Sequence, residues 1–194
     1  MLRDRVESFD RSIEDLVAPL RGRRVADTVA YVASALGDHG LIWFLAGVAR
    51  GRRAGPRRAV AVRAVVFSGI VTPVVNAALK SVVGRRRPQD SSPHPLPVRI
   101  PRTASFPSGH SLAAWCAATL LAEEDDLGPL YYAMAGAISF SRVHVRLHHP
   151  TDVVAGSILG VGLGRLGRRL VPSGGTVMRR LECVAPGRGW QGCE

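Results

Sequence analysis

Lysine is almost absent from this chain: of 26 basic side chains among 194 residues, all but Lys80 are arginine. Cysteine is scarce too. Cys116, Cys183 and Cys193 form neither a paired framework nor a zinc pattern, which excludes a fold held by disulfides. No cluster of His, Cys, Asp or Glu has metal-ligand spacing, so neither a metal nor another cofactor is expected. No uncharged stretch reaches the ~20 apolar residues of a simple membrane span. The N-terminal stretch lacks the apolar core and cleavage site of a secretory leader and is expected to be retained. Internal repeats and the marks of a second domain are missing as well.

What is present pulls two ways. A net charge of +11 and a pI of about 11.2 would suit a nucleic-acid binder. Against that, 46% of residues are hydrophobic and mean hydropathy is +0.11, high for so charged a chain. The charges are also segregated, leaving residues 28–37, 39–49, 64–79, 111–122, 127–141 and 153–164 uncharged. These read as six short helical spans, lengthened at each end by snorkelling arginines. A soluble helical bundle, or a soluble basic protein binding nucleic acid, is the rival, and a need for detergent in extraction separates them. Gly156, Gly160 and Gly164 recur at every fourth residue, the small-residue pattern by which membrane helices approach closely. Thr72, Asn76 and Lys80 share one face of the third span, a polar stripe expected to face the bundle interior. Pro73 is expected to kink that helix.

Three motifs stand in order across the middle of the chain. Lys80 is followed at the seventh position by Arg87-Pro88; Pro107-Ser108-Gly109-His110 comes next; Ser141-Arg142, His148 and Asp152 close the set in SRVHVRLHHPTD. Phosphoryl transfer spreads negative charge over several oxygens, so a protein that catalyses it must position and stabilise that charge. Lys80, Arg87 and Arg142 supply three fixed cations, and an arginine fork can hold two phosphate oxygens. Ser108 reads as the N-cap of a helix whose first N–H groups would face an anion, with Gly109 allowing close approach. A neutral imidazole can attack phosphorus if its tautomer is fixed. His148 and Asp152, four apart, would share one face of a helix with Pro150 in its first turn.

In this order and spacing the motifs resemble the type-2 phosphatidic acid phosphatases, over about residues 60–165. That superfamily also holds bacterial acid phosphatases and vanadium haloperoxidases. The resemblance implies an all-α, integral membrane bundle of about six transmembrane helices. It implies that His148 is the nucleophile, oriented by Asp152, and that His110 protonates the leaving alcohol and then activates water. Lys80, Arg87, Ser108, Gly109 and Arg142 would hold the phosphate. Arg85 and Arg86 are candidates for secondary contacts to an anionic headgroup. His144 and His149 read as packing or interface residues, and His39 and His94 as loop residues.

Domain organisation follows. Residues 1–24, with Val6, Phe9, Ile13, Leu16, Val17 and Leu20 at helical spacing, read as an amphipathic cytoplasmic or interfacial helix. Residues 25–171 form the six-span phosphatase domain, and 172–194 a flexible cytoplasmic tail. Arginines before the first span, between the second and third, and after the last would place those segments in the cytoplasm. The motifs would then face the extracytoplasmic side of the plasma membrane. The expected substrate is a lipid phosphate, a polyprenyl-linked phosphate before phosphatidic acid or phosphatidylglycerol phosphate. Membrane lipids are the expected surroundings, with no nucleic-acid partner; oligomeric state is not legible. A catalytically inactive membrane scaffold of the same fold is the other alternative.

Overall fold

The computed structural model describes residues 1–51, 56–88, 96, 103–124 and 126–172, and every regular element among them is helical. Residues beyond 172, with Cys183 and Cys193, lie outside the described residues, as do His94, Arg99 and Arg102.

Helix α1 (Leu2–Val17) is followed by α2 (Arg24–Gly37), a single 3₁₀ turn at Asp38–Gly40, and α3 (Leu41–Gly51). Helices α4 (Pro56–Val66) and α5 (Thr72–Val83) are joined without a break by a π turn at Phe67–Val71. The expected kink at Pro73 takes this form. Proline offers no N–H to the turn before it and its ring crowds the carbonyl four residues back, and a wider turn absorbs both. Ala59–Val83 is long and apolar enough to cross a membrane, one such helix among the described residues. Helices α6 (Gly109–Leu121), α7 (Gly128–His144) and α8 (Pro150–Leu170) complete the bundle.

Helix α6 is the centre. Leu112, Cys116, Ala117, Ala118, Leu120 and Leu121 on it are fully buried, and α8 lies closest against it. The glycine spacing makes that closeness possible. A Cβ on Gly156 would sit 2.5 Å from the Ser108 carbonyl oxygen, and one on Gly160 2.4 Å from that of Leu112. On Gly164 it would meet Thr119 Cβ at 2.6 Å. Lipid tails are as apolar as leucine, so backbone contact of this kind carries helix association where burial of apolar area cannot. The outer surface agrees: Val29, Val32, Ile70, Val74, Leu130, Phe140, Val154 and Ile158 all point outward.

Two expectations are corrected here. Residues 28–37 and 39–49, read as two spans, form the separate helices α2 and α3, which cross the bundle as one broken pass. Helix α2 starts beside the end of α7, where Asp27 meets His144 at 2.8 Å, and reaches Ile138 by Gly37. After the 3₁₀ turn, α3 continues away from that end and pairs with α4, Gly47 resting on Val65 and Ala61. Only residues 52–55 separate α3 from α4, so the two are antiparallel neighbours. Among the described residues the bundle is thus crossed five times, by α2 with α3, by α4 with α5, and by α6, α7 and α8. An odd number moves residues 1–24 to the motif end instead of the opposite one, and α1 docks there through named contacts. Asp10 bonds Arg85 and Thr151, Ile13 and Val17 pack on Val143 and Val153, and Arg21 donates to the carbonyls of Val143 and His144. The opposite end is closed by a buried ion pair between Arg63 and Glu123, with Arg168 bonded to the Thr119 carbonyl.

Candidate active site

Local rules of chain reversal place the functional side chains. Gly84, in the left-handed region at φ 58°, ends α5 by donating its N–H to the Lys80 carbonyl. Lys80 thus sits in the last turn with its Nζ 2.6 Å from the Ala104 carbonyl and 3.3 Å from Thr103 Oγ1. Arg87 donates to the Thr103 carbonyl at 3.0 Å and to the Leu147 carbonyl at 2.6 Å. Its Nη1 lies 3.2 Å from His148 Nε2. Arg142, in the last turn of α7, is buried; it donates to Ser34 Oγ at 2.5 Å, while its Nε has no partner among the described residues. The charges of Arg87 and Arg142 both act on Lys80, so the three cations converge.

His148 reaches them by a turn, not along a helix, which corrects the expected helical pairing with Asp152. Arg146 takes a left-handed φ of 54°, and the N–H groups of Leu147 and His148 both return to the Arg142 carbonyl at 3.1 and 3.2 Å. Proline's fixed φ then starts α8 at Pro150, so His149 is its N-cap and His148 precedes it. Asp152 occupies the third helical position, where the His149 N–H binds its carboxylate at 2.9 Å. Its Oδ2 is 3.7 Å from His148 Nδ1, too long for a hydrogen bond. Ser105, absent from the sequence-derived set, fills the gap: its hydroxyl donates to Asp152 Oδ2 and lies 3.5 Å from His148 Nδ1. Burial pushes the His148 ring down to about 3; Asp152 opposes the fall while Arg87 and Arg142 deepen it. The ring is therefore neutral near pH 7, with Nδ1 on the carboxylate side and Nε2 on the cation side.

Arg85 is corrected from a headgroup contact to a carboxylate clamp. It donates at 2.7 Å to Asp152 Oδ1, to Thr151 Oγ1 and to Asp10 Oδ2. Asp10 also accepts from the Thr151 N–H at 2.8 Å, tying α1 to the start of α8. Ser108 is the N-cap of α6, its Oγ accepting from the Ser111 N–H. Its own N–H is spent on the Asp152 carbonyl at 3.0 Å, so it braces the two helix starts against each other rather than facing a ligand. Gly109 makes room for Asn76 of the polar stripe; a Cβ there would fall 2.8 Å from Asn76 Nδ2. His110 points away from α8: its Nε2 is 2.7 Å from Asp38 Oδ1. His144 and His149 hold interfaces, with Asp27 of α2 and Glu14 of α1.

Known proteins resemble this chain in sequence and in fold. The sequence profile of the PAP2 superfamily matches residues 61–174. The decaprenylphosphoryl-5-phosphoribose phosphatase of Mycolicibacterium smegmatis is 33% identical over 72% of this chain and 76% of its own length. The undecaprenyl-diphosphatase of Sulfolobus acidocaldarius is 32% identical over 56% of this chain and 54% of its own. Among solved structures, a transmembrane PAP2-type phosphatidylglycerolphosphate phosphatase from Bacillus subtilis superposes with a TM-score of 0.64. It has 22% identity, covering 94% of this chain and 89% of that one. Aquifex aeolicus LpxE gives a TM-score of 0.66 at 21% identity, covering 81% of this chain and 93% of that one.

Proposed function

The chain belongs to the PAP2 superfamily, and from that premise we propose that it is a membrane lipid phosphate phosphatase working through a phosphohistidine on His148. One observation carries the reading: a buried, neutral imidazole has a carboxylate at Nδ1 and a guanidinium at Nε2, in a bundle whose outer faces are apolar. The phosphate oxygens accept from Lys80, from Arg87 and from the buried Nε of Arg142, which has no partner among the described residues. The Nε2 lone pair forms a bond to phosphorus while the P–O ester bond breaks, and the leaving oxygen takes a proton from His110. Positive charge on the phosphorylated ring is balanced by Asp152, itself fixed by Ser105 and Arg85. Water then gives a proton to His110 as its oxygen attacks phosphorus; the P–N bond breaks and inorganic phosphate leaves.

The substrate class follows the relatives, whose names specify polyprenyl-linked phosphates: a phosphate or diphosphate on a polyprenyl carrier. We place the end that bears the start of α4 and the end of α8, with Arg165, Arg168 and Arg169, in the cytoplasm. The site and α1 then face outward, at the level of outer-leaflet headgroups. Purified protein in detergent, given polyprenyl and glycerolipid phosphates in parallel, should release phosphate fastest from the polyprenyl set. Label from a brief reaction, quenched in alkali, should be trapped in wild type and lost in His148→Ala. Label that persists in His148→Ala refutes the assignment of the nucleophile.

A further inference from the structure

The first pass through the bundle is broken at Gly37–Gly40, and the break falls beside the ring of His110. Two contacts define it. Asp38 Oδ1 lies 2.7 Å from His110 Nε2, and a Cβ on Gly37 would sit 3.1 Å from His110 Cδ2 and 2.9 Å from Ile138 Cγ2. Asp38 ends α2 in an extended conformation, and Gly40 takes a φ of 67° to let α3 resume. A continuous helix would have aimed residue 38 elsewhere, so the interruption sets the carboxylate. The same carboxylate is felt by Arg142 on the phosphate side. Nothing in the three motifs contains it: Asp38 is 72 residues from His110, on a different helix.

We propose that Asp38 is the positioning residue for the proton-transferring histidine, a counterpart on His110 of what Asp152 is to His148. The inference rests on the role given to His110 above. A carboxylate at Nε2 fixes the ring's tautomer and orientation. It also compensates the positive ring that donates a proton to the leaving oxygen and re-forms when water is deprotonated.

The test separates the two chemical steps by leaving group, in the full chain in detergent. An alkyl phosphate needs protonation to leave; an aryl phosphate does not, yet its phosphoenzyme still needs water activated by His110. Asp38→Asn should lower kcat on the alkyl substrate by about 10–100-fold. On the aryl substrate it should keep the burst of aryl alcohol, slow the steady state, and raise the fraction of protein trapped as phosphohistidine. Asp38→Glu, which keeps the charge, should recover most of the rate and decides the matter should Asp38→Asn not fold. Adding Asp38→Asn to His110→Ala should cost less than threefold more. An Asp38→Asn enzyme within twofold of wild type on the alkyl substrate, or a full multiplicative loss in the double variant, overturns the proposal while leaving the role of His110 intact. Equal losses in the rate of phosphoenzyme formation from alkyl and aryl substrates in His110→Ala overturn that role, and this proposal with it.

Discussion

A methyl group placed on Gly156 should disable the site without replacing any side chain of it. The Cβ of Gly156→Ala would meet the Ser108 carbonyl oxygen at 2.5 Å, Ser108 C at 3.3 Å and Ser111 Cβ at 3.3 Å. Ordinary contact begins at 3.4 Å, so α6 and α8 must part here by 3.4 − 2.5, or 0.9 Å. The obstacle is backbone on both sides, and no rotamer can absorb it. Ser108 is the N-cap that aims His110, and its N–H holds the Asp152 carbonyl. The displacement therefore runs between the two halves of the catalytic set. A misplacement of about 1 Å costs on the order of 10²-fold in rate, and overpacking of this kind costs about 1–3 kcal/mol in stability. Gly162→Ala is the control, because nothing lies within 4 Å of its Cβ. It should retain activity within threefold and gain a few tenths of a kcal/mol from helix propensity, in the direction expected of Gly→Ala. Phosphate release with purified protein, beside thermal unfolding in the same detergent, reads both quantities. Gly156→Ala with wild-type kcat would refute the close α6–α8 approach as a determinant of site geometry, whatever its melting temperature.

The His148 ring, with its pKa lowered to about 3 by burial, should stay neutral in ¹⁵N spectra of labelled imidazole down to pH 4.5; a midpoint near 6.5 refutes the burial argument. The sign for stability follows: below 6.5 the unfolded ring binds a proton that the folded ring refuses, so this group's contribution falls as pH drops from 6.5 towards 3. Because three side-chain cations occupy the place of a metal clamp, activity should survive excess EDTA, while vanadate should inhibit. Loss on chelation that Mg²⁺ restores would sink the mechanism. For topology, single cysteines at Ser12 and Arg169, in a background without Cys116, Cys183 and Cys193, should label oppositely with an impermeant maleimide on intact cells. Ser12→Cys should react and Arg169→Cys should not; equal labelling refutes the five-pass arrangement.

What the sequence made legible was the part whose residues are near neighbours along the chain or share a fixed chemical task. Lys80, Arg87, His148 and Asp152 do come together, Ser108 is an N-cap, and the Gly156–Gly160–Gly164 row is a contact ridge. Each rests on a local rule: a cap needs a hydroxyl, a close helix pair needs missing side chains, a phosphate needs cations. The residues missed are those whose partner is far away. Asp10 lies 75 residues from Arg85, Asp38 lies 72 from His110, and Ser105 lies 47 from Asp152. A lone Asp on a charged N-terminal helix looks like a solvated charge until the bundle closes over it.

The break between α2 and α3 was hard to read for a related reason. Hydropathy separates residues 28–37 from 39–49 at one charge, and that charge is Asp38. Read along the chain, a charge between two apolar runs marks a loop at the membrane surface. Read in space, it is a partly exposed carboxylate that meets His110 at the break in the pass. The residue that divides the hydropathy is thus the one proposed to position His110, and the broken pass also carries α1 to the motif end. There Asp10 closes on Arg85, and Arg85 on Asp152. The N-terminal helix, which carries none of the three motifs, becomes the outer brace of the carboxylate beside His148.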